Sequence, residues 1–116
     1  VSELTPQQHD AVFAAVSHLP HLLSFALVHD LAQRDNRDLL LSFAASGFRD
    51  FTRIAASSPE MWRDICLANR EALMDELGIY MLELEKLHEA LAEADADALE
   101  QTFRTARELR AGWTEQ

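Results

Sequence analysis

Apolar residues recur along this chain at helical rather than strand spacing. Thr5 and Pro6 form an N-cap and first-turn pair ahead of Ala11, Val12, Ala15, Val16 and Leu19, which predicts a helix from the start of the chain. Pro20 is expected to kink or break it. Leu22, Leu23, Phe25, Ala26 and Leu27 then read as apolar nearly all round, the pattern of a central helix covered on most sides, ending near residues 34–37. A short helix through Leu39, Leu40, Leu41 and Phe43 leads to Ser46-Gly47, and a second is expected from Phe48 to Ala55. Ser58-Pro59-Glu60 repeats the cap-and-proline start.

From Ser58 the helical pattern runs to about Ala94, with Leu73, Leu77, Tyr80, Leu84, Leu87 and Leu91 forming a heptad-like seam. Met74 and Met81 widen that face. A helix so long exceeds what one small core covers, which predicts that a second subunit covers part of it. Asp97 with Glu100 reads as a capping box opening a last helix whose inner face is Leu99, Phe103, Ala106 and Trp113. The fold class expected is all-α, a helical bundle with a long central helix in an intertwined homodimer, and residues 1–116 read as one domain.

Charge narrows the partners. Ten basic residues stand against 20 acidic ones, a net charge of −10, so nucleic acid and anionic membrane surfaces are disfavoured. The stretch Glu71 to Glu100 is the most acidic and reads as a solvated outer face. The longest apolar stretch, Leu19 to Val28, is interrupted and short of the roughly 20 residues that cross a bilayer. Cys66 is the single cysteine and sits among apolar neighbours, as a small buried hydrophobe does. With no basic, cleavable leader in view, a cytoplasmic location is expected.

Two segments depart from ordinary bundle sequence. Ser17-His18-Leu19-Pro20-His21 puts two histidines three residues apart around a proline. They are either ordinary histidines near a kink or, with His9 or His29, metal ligands, although no zinc-type framework surrounds them. In Gly47-Phe48-Arg49-Asp50-Phe51-Thr52-Arg53-Ile54-Ala55, Arg49 and Arg53 are four apart and project from one helix face, while Phe48, Phe51 and Ile54 are expected inward. Paired guanidiniums suit a carboxylate ligand, because the planar fork holds both oxygens; the alternative is solvated arginines paired with Asp50 and Asp64. Trp62, in the following Pro59–Ile65 segment, either walls a pocket or fills the core.

These segments resemble the C-terminal domains of the prephenate and arogenate dehydrogenases. The Ser-His-Leu-Pro-His signature stands at 17–21, Gly-Phe-Arg-Asp-x-Thr-Arg-Ile-Ala at 47–55, and Met-Trp-x-Asp-Ile at 61–65, followed by Asn69. The resemblance implies a dimerisation and substrate-anchoring domain of an NAD(P)-dependent enzyme of tyrosine biosynthesis that oxidatively decarboxylates prephenate or arogenate. It assigns Arg53 to the ring carboxylate, His18 and His21 to the cleft, Trp62 to its border, and Asp50 with Arg49 to gating or a contact across the dimer. Tyrosine is the expected inhibitor in feedback-regulated members.

The nucleotide-binding half of that family carries a Gly-x-Gly-x-x-Gly turn that Gly47, Gly78 and Gly112 cannot make. The chain alone is therefore expected to bind neither NAD nor NADP, to hold no metal, and to catalyse nothing. The competing expectation is a free-standing helical interaction module using the Leu73–Leu91 seam.

Overall fold

The computed structural model describes residues 3–113, and among them every regular element is helical. In chain order these are α1 (Pro6–Phe13), a π-helical turn (Ala14–His18), α2 (Leu19–Ala32), α3 (Arg37–Ser42), α4 (Ser46–Thr52), a 3₁₀ turn (Arg53–Ala56), α5 (Pro59–Ala68), α6 (Arg70–Ala92) and α7 (Ala96–Gly112). Backbone contacts group the chain into two compact units, Val1–Leu77 and Gly78–Gln116, with α6 running through the boundary.

Thr5 caps α1 as its sequence predicts: its hydroxyl accepts from Gln8 N–H, and the Gln8 side chain accepts from Thr5 N–H in return. Pro20 does not break the helix. The turn just before it is widened, with Leu19 N–H reaching back five residues to Ala14, and this gives room to a ring that crowds the preceding turn and has no N–H to donate. Helical backbone continues over 27 residues, Pro6–Ala32, which by length and composition alone is enough to cross a bilayer. In this fold α4 and the 3₁₀ turn pack against α2 instead.

The long helix expected from Ser58 to Ala94 is two helices. Ser58 caps the first, accepting from Met61 N–H at 3.2 Å. Asn69 (φ −116°, ψ 37°) then departs from helical geometry, and its amide is taken by groups outside both helices, as asparagine's competition with helical bonding allows. The last helix opens at Asp95, two residues before the expected cap, with its carboxylate accepting from Ala98 N–H at 3.0 Å. The reason lies one residue earlier. Ala94 takes a left-handed backbone (φ 52°), so that Asp95 N–H can return to the Ala90 carbonyl at 2.8 Å and close α6.

In the first unit Ala14, Leu19, Ser24, Trp62 and Leu73 are buried, and Ala90 is buried in the second. The seam on α6 starts buried at Leu73 (5% exposed) and is open by Leu91 (68%). Phe51 and Phe103, both expected to face inward, are exposed.

A non-glycine residue in the left-handed region costs roughly 1–2 kcal/mol. Ala94→Gly should therefore raise stability by about 0.5–1 kcal/mol after the entropy of the unfolded glycine is subtracted. Thermal unfolding checks this: Ala94→Gly melts higher than the parent and Ala94→Val melts lower, and a reversed order would contradict the left-handed turn.

Candidate functional site

Trp62, the fourth residue of α5, gathers residues from the first long helix around its indole. His21, in the first turn of α2, stacks on it with ring centroids 3.9 Å apart and planes 17° from parallel. His18, the last residue of the π turn, meets the same indole edge-on at 6.0 Å and 79°. Phe25, one turn beyond His21, lies 6.5 Å away. Trp62 thus both fills the core and borders an apolar depression of about 280 Å³ lined with Leu22, Phe25, Pro59, Arg63 and Cys66. The two roles left open by its spacing are filled together.

Each histidine has one nitrogen engaged. His21 Nδ1 donates to the Ser17 carbonyl at 3.0 Å, and His18 Nδ1 accepts from the Asn69 side chain at 3.2 Å. Burial holds the His18 pKa below the ordinary 6.5; His21 and His9 push it the same way, against the opposing pull of Asp10. The half-buried Cys66 thiol is held above its ordinary value by burial, the direction of an unreactive side chain. Among the described residues no group of three or more His, Cys, Asp or Glu comes together as a metal-ligand set.

The second signature is seated on the same helix. Ser24, fully buried one turn after His21, donates its hydroxyl to the Phe51 carbonyl at 3.0 Å and so pins the end of α4 to α2. Arg53 N–H bonds the Arg49 carbonyl, so one helical turn separates the two arginines. Both are exposed, as is Asp50. Arg49 Nε reaches the Ala44 carbonyl at 3.4 Å. The ion pairs proposed for these arginines as a bland alternative do not form among the described residues: Asp64 pairs with Arg63 at 2.9 Å, and neither Arg49, Arg53 nor Asp50 joins an ion pair.

The structure therefore brings His18, His21 and Trp62 into direct contact and places Arg49 and Asp50 on α4 and Arg53 at the start of the following 3₁₀ turn, with no hydrogen bond between the two groups among the described residues. Motif spacing alone did not disclose the roles of Ser24, Phe25 and Asn69. Ser24 carried a signal, being one hydroxyl within the apolar run Leu22–Leu27, where a buried polar group requires a partner. No glycine takes a positive φ, and a side-chain carbon at any of the three would meet open space. The described residues thus contain no close-approach glycine turn for a dinucleotide phosphate.

A model of the family described as prephenate dehydrogenase, dimerization domain, matches residues 5–105. Prephenate dehydrogenase of Bacillus subtilis is 41% identical over 111 residues, 95% of this chain and 30% of its own length. Cyclohexadienyl dehydrogenase of Zymomonas mobilis is 35% identical over 112 residues, 95% of this chain and 38% of its own length. Among solved structures, Synechocystis arogenate dehydrogenase superposes with a TM-score of 0.88 at 28% identity, over 96% of this chain and 41% of that one. Prephenate dehydrogenase from A. aeolicus, in complex with hydroxyphenyl propionate and NAD+, gives 0.83 at 38% identity, over 96% and 40%. The chain spans 30% and 38% of the length of the two curated relatives. With the match running from Thr5 to Thr105 through both signatures, the chain belongs to the prephenate dehydrogenase dimerization-domain family.

Proposed function

We propose that this chain is the dimerisation and substrate-anchoring part of a prephenate or arogenate dehydrogenase of tyrosine biosynthesis, acting in the cytoplasm. The reaction is an oxidative decarboxylation in which a ring hydride passes to NAD+ or NADP+, carbon dioxide leaves the ring carboxylate, and the ring becomes aromatic. The nicotinamide cofactor supplies the hydride acceptor and belongs to a part of the enzyme outside these residues. What this chain supplies is grip and enclosure.

The observation that carries the reading is Arg53: an exposed guanidinium without an ion pair among the described residues, in a chain of net charge −10, on a turn fixed to α2 by Ser24. Its fork suits the substrate's ring carboxylate. Arg49 and Asp50 stand at the entrance or contact the second subunit. The Trp62 indole, stacked on His21 and met edge-on by His18, holds two imidazoles together beside an apolar depression, a surrounding suited to a six-membered ring bearing oxygens. The A. aeolicus relative binds hydroxyphenyl propionate, a ligand that joins a phenol to a carboxylate. Tyrosine has the same two groups and is the inhibitor this cleft would accept.

A homodimer is supported by the apolar residues left open in each unit. Phe43 is 81% exposed in the first, and Phe103 is 58% exposed in the second, alongside Ile79, Leu82 and Leu91. Each large side chain buried at an interface contributes roughly 1.5–3 kcal/mol, so several suffice to hold two chains together.

Three outcomes follow. In the full-length enzyme, Arg53→Ala should raise KM for prephenate roughly ten- to a hundredfold while changing kcat much less, and Arg53→Lys should recover only part of the loss, since lysine cannot form the two parallel bonds; steady-state kinetics with an unchanged KM would remove the anchoring role. Light scattering after size exclusion should show a dimer that persists on dilution, whereas a folded monomer at all concentrations would contradict the dimerisation role. For pH, the folded His18 binds its proton less readily than the unfolded one. Its contribution to stability is complete above 6.5 and is lost as pH falls from there through the lower folded value. Melting temperature should therefore drop on acidification below 6.5, and His18→Gln should shrink the drop; identical profiles would rule out His18 as the cause.

A further inference from the structure

Asn69 lies between α5 and α6 with its side-chain nitrogen 2.8 Å from the Asp10 carbonyl and 3.2 Å from His18 Nδ1. A carbonyl only accepts, so the atom facing Asp10 is the NH2 group, and turning the amide over would set two oxygens against each other. That NH2 has two hydrogens and two acceptors. His18 Nδ1 must therefore carry a lone pair, which places the ring proton on Nε2. His21 is held the opposite way: its Nδ1 faces the Ser17 carbonyl at 3.0 Å, so Nδ1 carries a proton, and in the neutral ring the lone pair is on Nε2. Neither Nε2 has a hydrogen-bond partner among the described residues, and both rings border the same indole.

We propose that Asn69 is a positioning residue that holds His18 in its Nε2–H form, so that the two histidines present one donor and one acceptor to the oxygens of the bound substrate. This rests on the substrate-anchoring reading and adds the polarity of the histidine pair. Asn69 has no need to touch the ligand. It acts by making every other state of His18 unfavourable. A proton on Nδ1 would face the Asn69 NH2 donor to donor, and reversing the amide to relieve that would break the bond to Asp10. The other ionisable groups acting on His18 are Asp10, which favours protonation, and His9 and His21, which oppose it. A purely structural role, tying α1 to the α5–α6 corner through Asp10, is the alternative the test must separate.

Histidine-selective ¹⁵N labelling of the protein with long-range ¹H–¹⁵N correlation reads the tautomer directly, and His18→Gln assigns the signal. The native protein should show His18 protonated at Nε2 and His21 at Nδ1. In Asn69→Asp, which keeps the size but turns the donor into an acceptor, His18 should gain a proton on Nδ1 and titrate at higher pH than in the native protein. In the full-length enzyme carrying Asn69→Asp, KM for prephenate should rise about threefold to tenfold with kcat changing less, the scale of one hydrogen bond. A native His18 protonated at Nδ1 overturns the proposal without any variant, so a variant that fails to fold does not protect it. A folded Asn69→Asp that leaves the tautomer unmoved overturns it as well, as does a switched tautomer with KM unchanged. If Arg53→Ala leaves KM alone while the tautomer follows Asn69, the anchoring reading fails and the tautomer control stands.

Discussion

The stack of Trp62 on His21 is the contact on which the site depends. One indole reaches His18, His21 and Phe25, which come from the π turn and two successive turns of α2, and so a single side chain of α5 fixes the position of α5 against the first long helix. Aromatic pairs of this kind contribute about 0.5–1.5 kcal/mol beyond the area they bury. The geometry follows from the backbone under the histidines. In the widened turn before Pro20 the residue spacing differs from that of an α-helix, and His18 and His21 approach the indole from two directions, one by its edge and one by its face. The proline of the Ser-His-Leu-Pro-His signature is therefore part of the site's construction.

Much of the fold was legible because helix starts are written locally. Thr5-Pro6 and Ser58-Pro59 announce caps that form as their side-chain chemistry requires. What was not legible depends on contacts distant in sequence. Asn69 interrupts a strong helical pattern because its amide bonds to Asp10 and His18, residues 59 and 51 positions away, and no local periodicity records that. Ala94 was hidden for a different reason: a left-handed residue is normally announced by glycine or asparagine, and this turn uses alanine. The site was legible in parts. The spacing of Arg49 and Arg53 gave their shared face, and both signatures marked the segments that matter. Local spacing could not show that Ser24 ties one signature to the helix carrying the other.

The exposed apolar residues belong to the same logic. A face that looks like core in the sequence, such as Leu84, Leu91 and Phe103, is open within one chain. Periodicity reports that a face is destined for burial and is silent on whether the cover comes from the same chain or another. The family's description as a dimerization domain is the natural resolution, and it explains how 116 residues can carry so much apolar surface with so few buried side chains.

The proposed function asks a chain of net charge −10 to receive an anionic substrate, and Arg53 and the two histidines would meet that difficulty in different ways. At physiological ionic strength charges separated by more than about 8 Å are largely screened, so the groups within contact distance of a ligand decide. At Arg53 the chain offers a permanent charge, since a guanidinium stays protonated across the biological range. His18 and His21 carry hydrogen-bonding polarity, one ring held by a side-chain amide and the other by a backbone carbonyl. In the proposed function charge supplies attraction, while fixed hydrogen-bond direction supplies orientation. A wall of protonated histidines would draw the same anion equally well in many poses. Rings of opposite hydrogen-bond sense favour one pose, and the proposed hydride transfer would need that restriction more than additional attraction.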